Sequence, residues 1–190
     1  MTEVAWLPHE EMTEADLALT PDDGHRYEIV DGSLVVSPSP SSAHQIIAGR
    51  LADLLRRHAP GDLEVLEGVG VRAGRHNGSL LIPDVSVVSA EEAAKDVPAF
   101  DPWHVRLVVE IVSRSSVTMD RFTKPSLYAI AKIPSYWRIE RGSAGVTVAV
   151  HELDGDSYRL TRELAGTIEH QLDEPFPVPV RPADLLLPRA

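Results

Sequence analysis

Two carboxylates interrupt apolar runs in which a carboxylate is costly to bury. Asp84 lies in the run Ser79–Ser89 and Glu110 lies in the run Val105–Ser113, and both runs are rich in valine, isoleucine and leucine, as are strands buried on both faces. A buried carboxylate must be paired, protonated or bound to a cation. Two such strands with one acid each therefore predict a shared divalent metal ion, which points to hydrolysis of phosphodiester bonds.

Each of these acids also has a simpler interpretation. Asp84 follows Pro83, and an aspartate at the end of a strand commonly forms a turn. Glu110 shares one strand face with Val108 and Val112, so alternation alone allows a half-exposed strand whose glutamate points to water.

Three further residues are candidates for chemistry, each with a structural alternative. Lys124 is followed one helical turn later by Tyr128, but a solvated helix face is the usual place for a lysine. Glu28 could pair with Arg26 across a hairpin. His44 begins a helix and could be structural only.

Composition indicates one soluble domain. The chain has 190 residues, 43% hydrophobic and 25% charged, with no cysteine, so disulfides and thiolate metal sites are excluded. Residues 1–10 lack the basic start and apolar core of a signal peptide. No apolar run reaches the roughly 20 residues that span a bilayer. We expect a cytoplasmic protein without a membrane partner.

The charge is strongly uneven along the chain. The net charge of −11 argues against a protein that coats nucleic acid without specificity. Residues 3–31 hold nine acids and one base, whereas residues 104–138 hold six bases and two acids. Any contact with DNA is therefore predicted to be local, through the basic segment 104–138 that surrounds Glu110.

The order of predicted elements indicates a mixed α/β protein. Capping signals, periodicity and turn residues predict these elements: a helix from Thr13 to about Leu19, a hairpin of 26–30 with 33–36 around Asp31-Gly32, a helix over His44–His58, strands over Leu63–Arg72 and Leu80–Ser89 around the turn 74–78, a loop over 90–103, the strand that carries Glu110, a helix from about Val117 to Lys132, strands over Ser135–Ile139, Val146–Glu152 and Ser157–Thr161, and a helical turn at Pro182–Leu186.

Six short motifs occur in an order that resembles a known family. They are Arg26-Tyr-Glu-Ile-Val-Asp-Gly32, His44 after a Ser-Pro loop, Pro83-Asp84-Val85, Val109-Glu110-Ile111-Val112-Ser113, Asp120…Lys124…Tyr128 and Pro134-Ser-Tyr-Trp137. Together they resemble the bacterial "putative restriction endonuclease" domain family, a branch of the PD-(D/E)XK nuclease superfamily. The resemblance implies a restriction-endonuclease-like core, a mixed β-sheet flanked by helices. We expect a single domain over 1–190, with its core at about 12–150 and C-terminal strands and a Pro-rich tail at 151–190.

The resemblance also implies a metal centre. By matched position, Asp84 and Glu110 would bind Mg²⁺ or Mn²⁺, and the carbonyl of Ile111 would be a third oxygen ligand. Oxygen donors of this kind suit both ions.

The same matching implies roles for the remaining candidates. Lys124 would orient the attacking water or stabilise developing negative charge, Glu28 would complete the acidic cluster, and His44 would contact the phosphate or hold Glu28. The sequence departs from the superfamily pattern at Val112, where the lysine usually lies, and at Pro125, which disfavours a helical conformation at Lys124.

The leading hypothesis is a Mg²⁺-dependent endonuclease that acts on DNA as a homodimer, with the hairpin near 146–161 and the tail as candidate contact surfaces. One alternative is a non-catalytic interaction module on a nuclease fold, suggested by Pro125 and the acidic surface. The other is a metallohydrolase of small phosphoesters, for which an acidic surface is a smaller handicap.

Overall fold

The computed structural model describes residues 11–75 and 78–187 as a mixed α/β protein. The helices are α1 (Glu14–Leu17), α2 (Ser42–His58), α3 (Ala90–Ala93) and α4 (Lys124–Ile130). The strands are β1 (Arg26–Val30), β2 (Ser33–Ser37), β3 (Leu63–Glu67), β4 (Gly70–Ala73), β5 (Ser79–Leu81), β6 (Val85–Ser89), β7 (Ala99–Phe100), β8 (Val105–Val112), β9 (Ser135–Gly142), β10 (Gly145–Asp154), β11 (Ser157–Ala165), β12 (His170–Leu172) and β13 (Val178–Val180). Short 3₁₀ turns cover Pro102–His104 and Pro182–Leu185, and a π-helical turn covers Met119–Thr123. The centre of the predicted turn 74–78 and the first ten residues lie outside the described residues.

The central sheet is mixed, as the sequence predicts. Its strand order is β11-β10-β9-β8-β6-β3, and only the neighbours β8 and β9 run parallel. The crossover between these two strands holds the π-helical turn and α4. A second sheet has the order β2-β1-β5-β4-β7, and β12 pairs with β13. The crossover thus brings α4 against the strand that carries Glu110.

The core lies on both faces of the central sheet. On one face α2 packs through Ile47 and Leu51 against Leu107 and Val109 of β8. On the other face Val108 belongs to the cluster that contains Leu127 and Tyr128 of α4. Because side chains alternate along a strand, Glu110 lies on the Val108 face and points towards α4.

Two apolar runs, each predicted from the sequence to be one strand, form two strands each in the structure. The run 63–72 divides at Gly68, whose φ of 65° suits glycine far better than other residues, so β3 joins the central sheet and β4 the second one. The run 79–89 divides at Ile82-Pro83-Asp84 between β5 and β6. Proline has no N–H to donate to a ladder, and Asp84 resumes the pairing by donating its N–H to Val109 O at 3.0 Å.

Two further predicted elements are also changed. The expected loop 90–103 contains α3 and β7. The helix predicted over 117–132 is one continuous helical segment from 117 to 130, in which the π-helical turn precedes α4 and Pro125 lies in the first turn of α4. Proline removes one N–H from the helical ladder, and the irregular turn lies directly before it, where the Lys124 N–H donates to Met119 O. None of the helices in the described parts of the chain is long and apolar enough to cross a membrane.

Candidate active site

Asp84 lies at the break between the two sheets and is almost fully buried. Its Oδ1 accepts from Arg26 Nη1 at 2.8 Å, and its Oδ2 accepts from the Ile111 N–H at 2.7 Å and lies 3.1 Å from His44 Nε2. Burial disfavours the charged form, but the hydrogen bonds and charges of His44 and Arg26 outweigh burial and hold the pKa of this carboxyl below its usual range. Asp84 is therefore an ionised group and not only a turn former.

Glu110 is buried on β8 and does not point to water. Only 2% of its surface is exposed, so the interpretation of a half-exposed strand whose glutamate points to water is wrong. Its Oε1 accepts from Tyr128 Oη at 2.7 Å. Burial raises the pKa of Glu110 well above its usual range, while the charge of Lys124 opposes this shift and the neighbouring carboxylates add to it.

Lys124 joins two of the predicted site residues. Its Nζ lies 2.9 Å from Glu28 Oε1 and 3.1 Å from Glu110 Oε1, and Glu28 also accepts from the Ile82 N–H at 2.6 Å. Burial alone would lower the pKa of Lys124, but Glu110 and Glu28 raise it, so the ammonium keeps its charge. Lys124 is only 4% exposed, so the interpretation that it lies on a solvated helix face is wrong.

The partners of Arg26 and His44 differ from those considered from the sequence. Arg26 pairs with Asp84 and not with Glu28, although Arg26 and Glu28 lie on the same strand, β1. His44 holds Asp84 rather than Glu28. Its Nδ1 is buried and has no hydrogen-bond partner among the residues that the structure describes.

Asp120 is an additional buried acid to which the sequence reasoning gave no role. Its carboxylate accepts from Ser116 Oγ, and its carbonyl accepts from Tyr136 Oη. Burial is the main cause that raises the pKa of Asp120 to about 6. The spacing offered a signal, since residues four apart in a helix lie on one face and Asp120 precedes Lys124 by four.

All of the predicted site residues line one cavity of about 440 Å³. Its titratable and metal-site members are Arg26, Glu28, His44, Asp84, Glu110, Ile111, Arg114, Asp120 and Lys124. Four of these side chains are carboxylic acids, and three, Arg26, Arg114 and Lys124, are permanent cations.

The donors present fit a divalent cation in chemistry and charge. Carboxylate oxygens are the preferred ligands of Mg²⁺ and Mn²⁺, and a divalent ion would offset the mutual repulsion of carboxylates that share one cavity. Among residues 11–75 and 78–187, no set of three or more His, Asp or Glu side chains is already arranged to hold a metal. The reason is visible in the contacts, because Arg26 and His44 occupy Asp84 while Lys124 and Tyr128 occupy Glu110.

Much of the predicted basic segment is neutralised. Its ion pairs join Arg121 and Arg138 to Glu140, and Lys132 to Asp156. Lys124 is inside the cavity, whereas Arg114 is exposed and lines the cavity. Among the described residues of this segment, Arg114 is therefore an exposed base that lies at the cavity.

The raised pKa of Asp120 predicts a measurable pH dependence of stability. The shift from 3.8 to about 6 means that the folded state holds this proton more tightly than the unfolded state. Its contribution to stability is complete below about pH 4 and is lost as the pH rises through about 6, a change of about 3 kcal/mol at about 1.4 kcal/mol per pKa unit. In urea unfolding with a chelator present, Asp120→Asn should lose this part of the pH dependence.

A second substitution checks the same group from its donor. Ser116→Ala removes a hydrogen bond that favours the charged carboxylate, so the pH-dependent loss should move to higher pH. An Asp120→Asn protein with the same pH dependence as the wild type would contradict the assignment.

Comparison with known proteins gives a family and a fold. The sequence model of the Uma2 family, described as "Putative restriction endonuclease", matches residues 13–183. A crystal structure of a "putative nuclease belonging to DUF820" from Anabaena variabilis ATCC 29413 is similar with a TM-score of 0.65 at 15% identity, covering 92% of this chain and 97% of that chain. The comparison with curated proteins found no match. The structural likeness confirms the predicted restriction-endonuclease-like fold.

Proposed function

Because the chain belongs to the Uma2 family of putative restriction endonucleases, we propose that it is a metal-dependent endonuclease that hydrolyses phosphodiester bonds of DNA. The observation that carries the proposal is the cavity in which Glu28, Asp84, Glu110 and Asp120 meet Lys124. Four buried carboxylic acids that share one cavity are costly to maintain. Such an arrangement is expected where a cation binds.

Asp84 and Glu110 are the proposed metal ligands, with the carbonyl of Ile111 as a third oxygen. Asp84 directly precedes β6, and Glu110 lies on β8, the strand that pairs with β6. The Ile111 N–H already donates to one Asp84 oxygen. When bound, Mg²⁺ or Mn²⁺ supplies positive charge beside the phosphate and a water of lowered pKa.

Lys124 supplies the fixed positive charge of the proposed mechanism. Its ammonium is held by Glu28 and Glu110 inside the cavity, where solvent screening is weak. A charge preorganised in this way stabilises negative charge that develops on the phosphate, or orients the attacking water. Glu28 positions Lys124, and His44 positions Asp84 beside the phosphate.

DNA as the substrate and a homodimer as the active form are parts of the same proposal. The exposed Arg114 at the cavity is the proposed contact with the backbone of DNA. A twofold dimer would place two cavities to cut two strands.

The proposal is tested by incubating the protein with supercoiled plasmid and Mg²⁺, Mn²⁺ or a chelator. Nicked or linear DNA that forms only with metal supports the proposal. Cleavage of bis(4-nitrophenyl) phosphate without cleavage of DNA would select the small-phosphoester hydrolase. Metal binding without cleavage of either substrate would select the non-catalytic module.

A further inference from the structure

Arg26 occupies the position at which the proposed metal ligand Asp84 meets the cavity. Its Nη1 lies 2.8 Å from Asp84 Oδ1 and 3.2 Å from Ile82 O. The side chain is 24% exposed, whereas that of Asp84 is 3% exposed, so the guanidinium covers a buried carboxylate from the solvent side. Arg26 therefore acts as the counter-ion of Asp84 when no other cation is bound.

The Arg26 guanidinium has N–H donors that bind no described protein group. Both of its hydrogen bonds to described residues use Nη1, although the group carries five N–H donors in a planar fork. Within the part of the chain that the structure describes, Nε and Nη2 of Arg26 donate to no protein group. A planar fork with free donors at a cavity is suited to bidentate binding of a phosphate.

Asp84 has little capacity left for a metal while Arg26 stays in place. An ionised carboxylate offers about four acceptor positions, and Arg26, His44 and the Ile111 N–H take three of them. The Ile111 N–H is fixed by the backbone of β8. Arg26 is the permanently charged partner, so it repels an arriving cation as well as competing with it.

We propose that Arg26 exchanges partners, leaving Asp84 when the divalent cation binds and turning its guanidinium to the phosphate of the substrate. This inference rests on the proposed metal-dependent function and adds a phosphate-positioning residue to it. It follows that metal and phosphate bind cooperatively, because each favours the state in which Arg26 has left Asp84. Linkage makes this coupling reciprocal.

The test is a calorimetric titration of Mn²⁺ with and without thymidine 5′-monophosphate, which has a phosphate group and no diester to cleave. We expect Arg26→Gln to bind Mn²⁺ about tenfold more tightly than the wild type, within the range usual for coupled sites. We also expect the nucleotide to strengthen Mn²⁺ binding by about tenfold in the wild type and much less in the variant. Arg72→Gln is the matched control, since Arg72 is 23% exposed and is held by Glu14 and Asp101 outside the cavity.

Several results would overturn the exchange. Unchanged or weaker Mn²⁺ binding by Arg26→Gln contradicts it, provided that the variant shows a cooperative melting transition. Absence of coupling in the wild type contradicts it even if the variant does not fold. If the wild type binds Mn²⁺, Asp84→Asn does not, and Arg26→Gln equals the wild type, the exchange is wrong while the metal site stands. No Mn²⁺ binding by the wild type would overturn both.

Discussion

Glu110→Gln is expected to lower metal-dependent DNA cleavage by at least about 10³-fold, which corresponds to about 4 kcal/mol of transition-state stabilisation. The substitution removes one of two proposed ligands, and a metal ion contributes several kcal/mol to such a reaction. Glutamine is nearly isosteric and keeps an oxygen that can accept from Tyr128 Oη. The loss should therefore arise from the missing charge and not from a changed shape.

The fold should survive this substitution. Burial, which raises the pKa of Glu110 by disfavouring its charged form, places no such penalty on a neutral glutamine. Lys124 keeps Glu28 as a partner at 2.9 Å. We expect the free energy of unfolding to change by only about 1 kcal/mol, close to the typical effect of a point substitution. Glu64→Gln, on an exposed position of β3, is the matched control and should cleave at the wild-type rate. Cleavage by Glu110→Gln at that rate would contradict the proposed role of Glu110 as a metal ligand.

Lys124→Met is expected to reduce both turnover and stability. Methionine has a similar length but no charge, so Glu28 and Glu110 would be left buried without the cation between them. Breaking a buried pair in this way costs about 3–5 kcal/mol. Turnover should fall by about 10²-fold or more through the loss of a preorganised charge, while metal affinity should be largely retained because Asp84 and Glu110 remain.

Lys132→Met provides the comparison for this effect. Lys132 lies eight residues further along the chain, is exposed and pairs with Asp156, and exposed pairs contribute about 0–1 kcal/mol. Urea unfolding of both variants with a chelator and with Mg²⁺ separates the two situations, since a bound cation should restore part of the stability of Lys124→Met. Equal unfolding midpoints for Lys124→Met and the wild type would contradict the buried pair.

Most acids and bases of the cavity could be predicted from the sequence, but the role of Asp120 and the pairing of the side chains could not. Glu28, His44, Asp84, Glu110 and Lys124 line one cavity, as their motifs indicated. The partner of Arg26 could not be predicted, because Arg26 and Glu28 lie two residues apart on one strand and each pairs with a residue far along the chain. Their catalytic and metal-binding roles stay predictions.

The fold was predictable where local signals are strong. The Asp31-Gly32 turn has φ of 44° and 75°, the left-handed pair that this dipeptide favours. The breaks at Gly68 and Pro83 were missed because apolar residues continue on both sides of each. Whether such a run is one strand or two depends on which sheet each half joins, and this is a tertiary property that periodicity does not report.

The central claim is that Asp84 and Glu110 share one divalent cation, and calorimetric titration of Mg²⁺ tests it most directly. We predict one binding site in the wild type and no binding in either Asp84→Asn or Glu110→Gln. A wild type that binds no Mg²⁺ at millimolar concentration, or variants that bind it as tightly as the wild type, would contradict the claim.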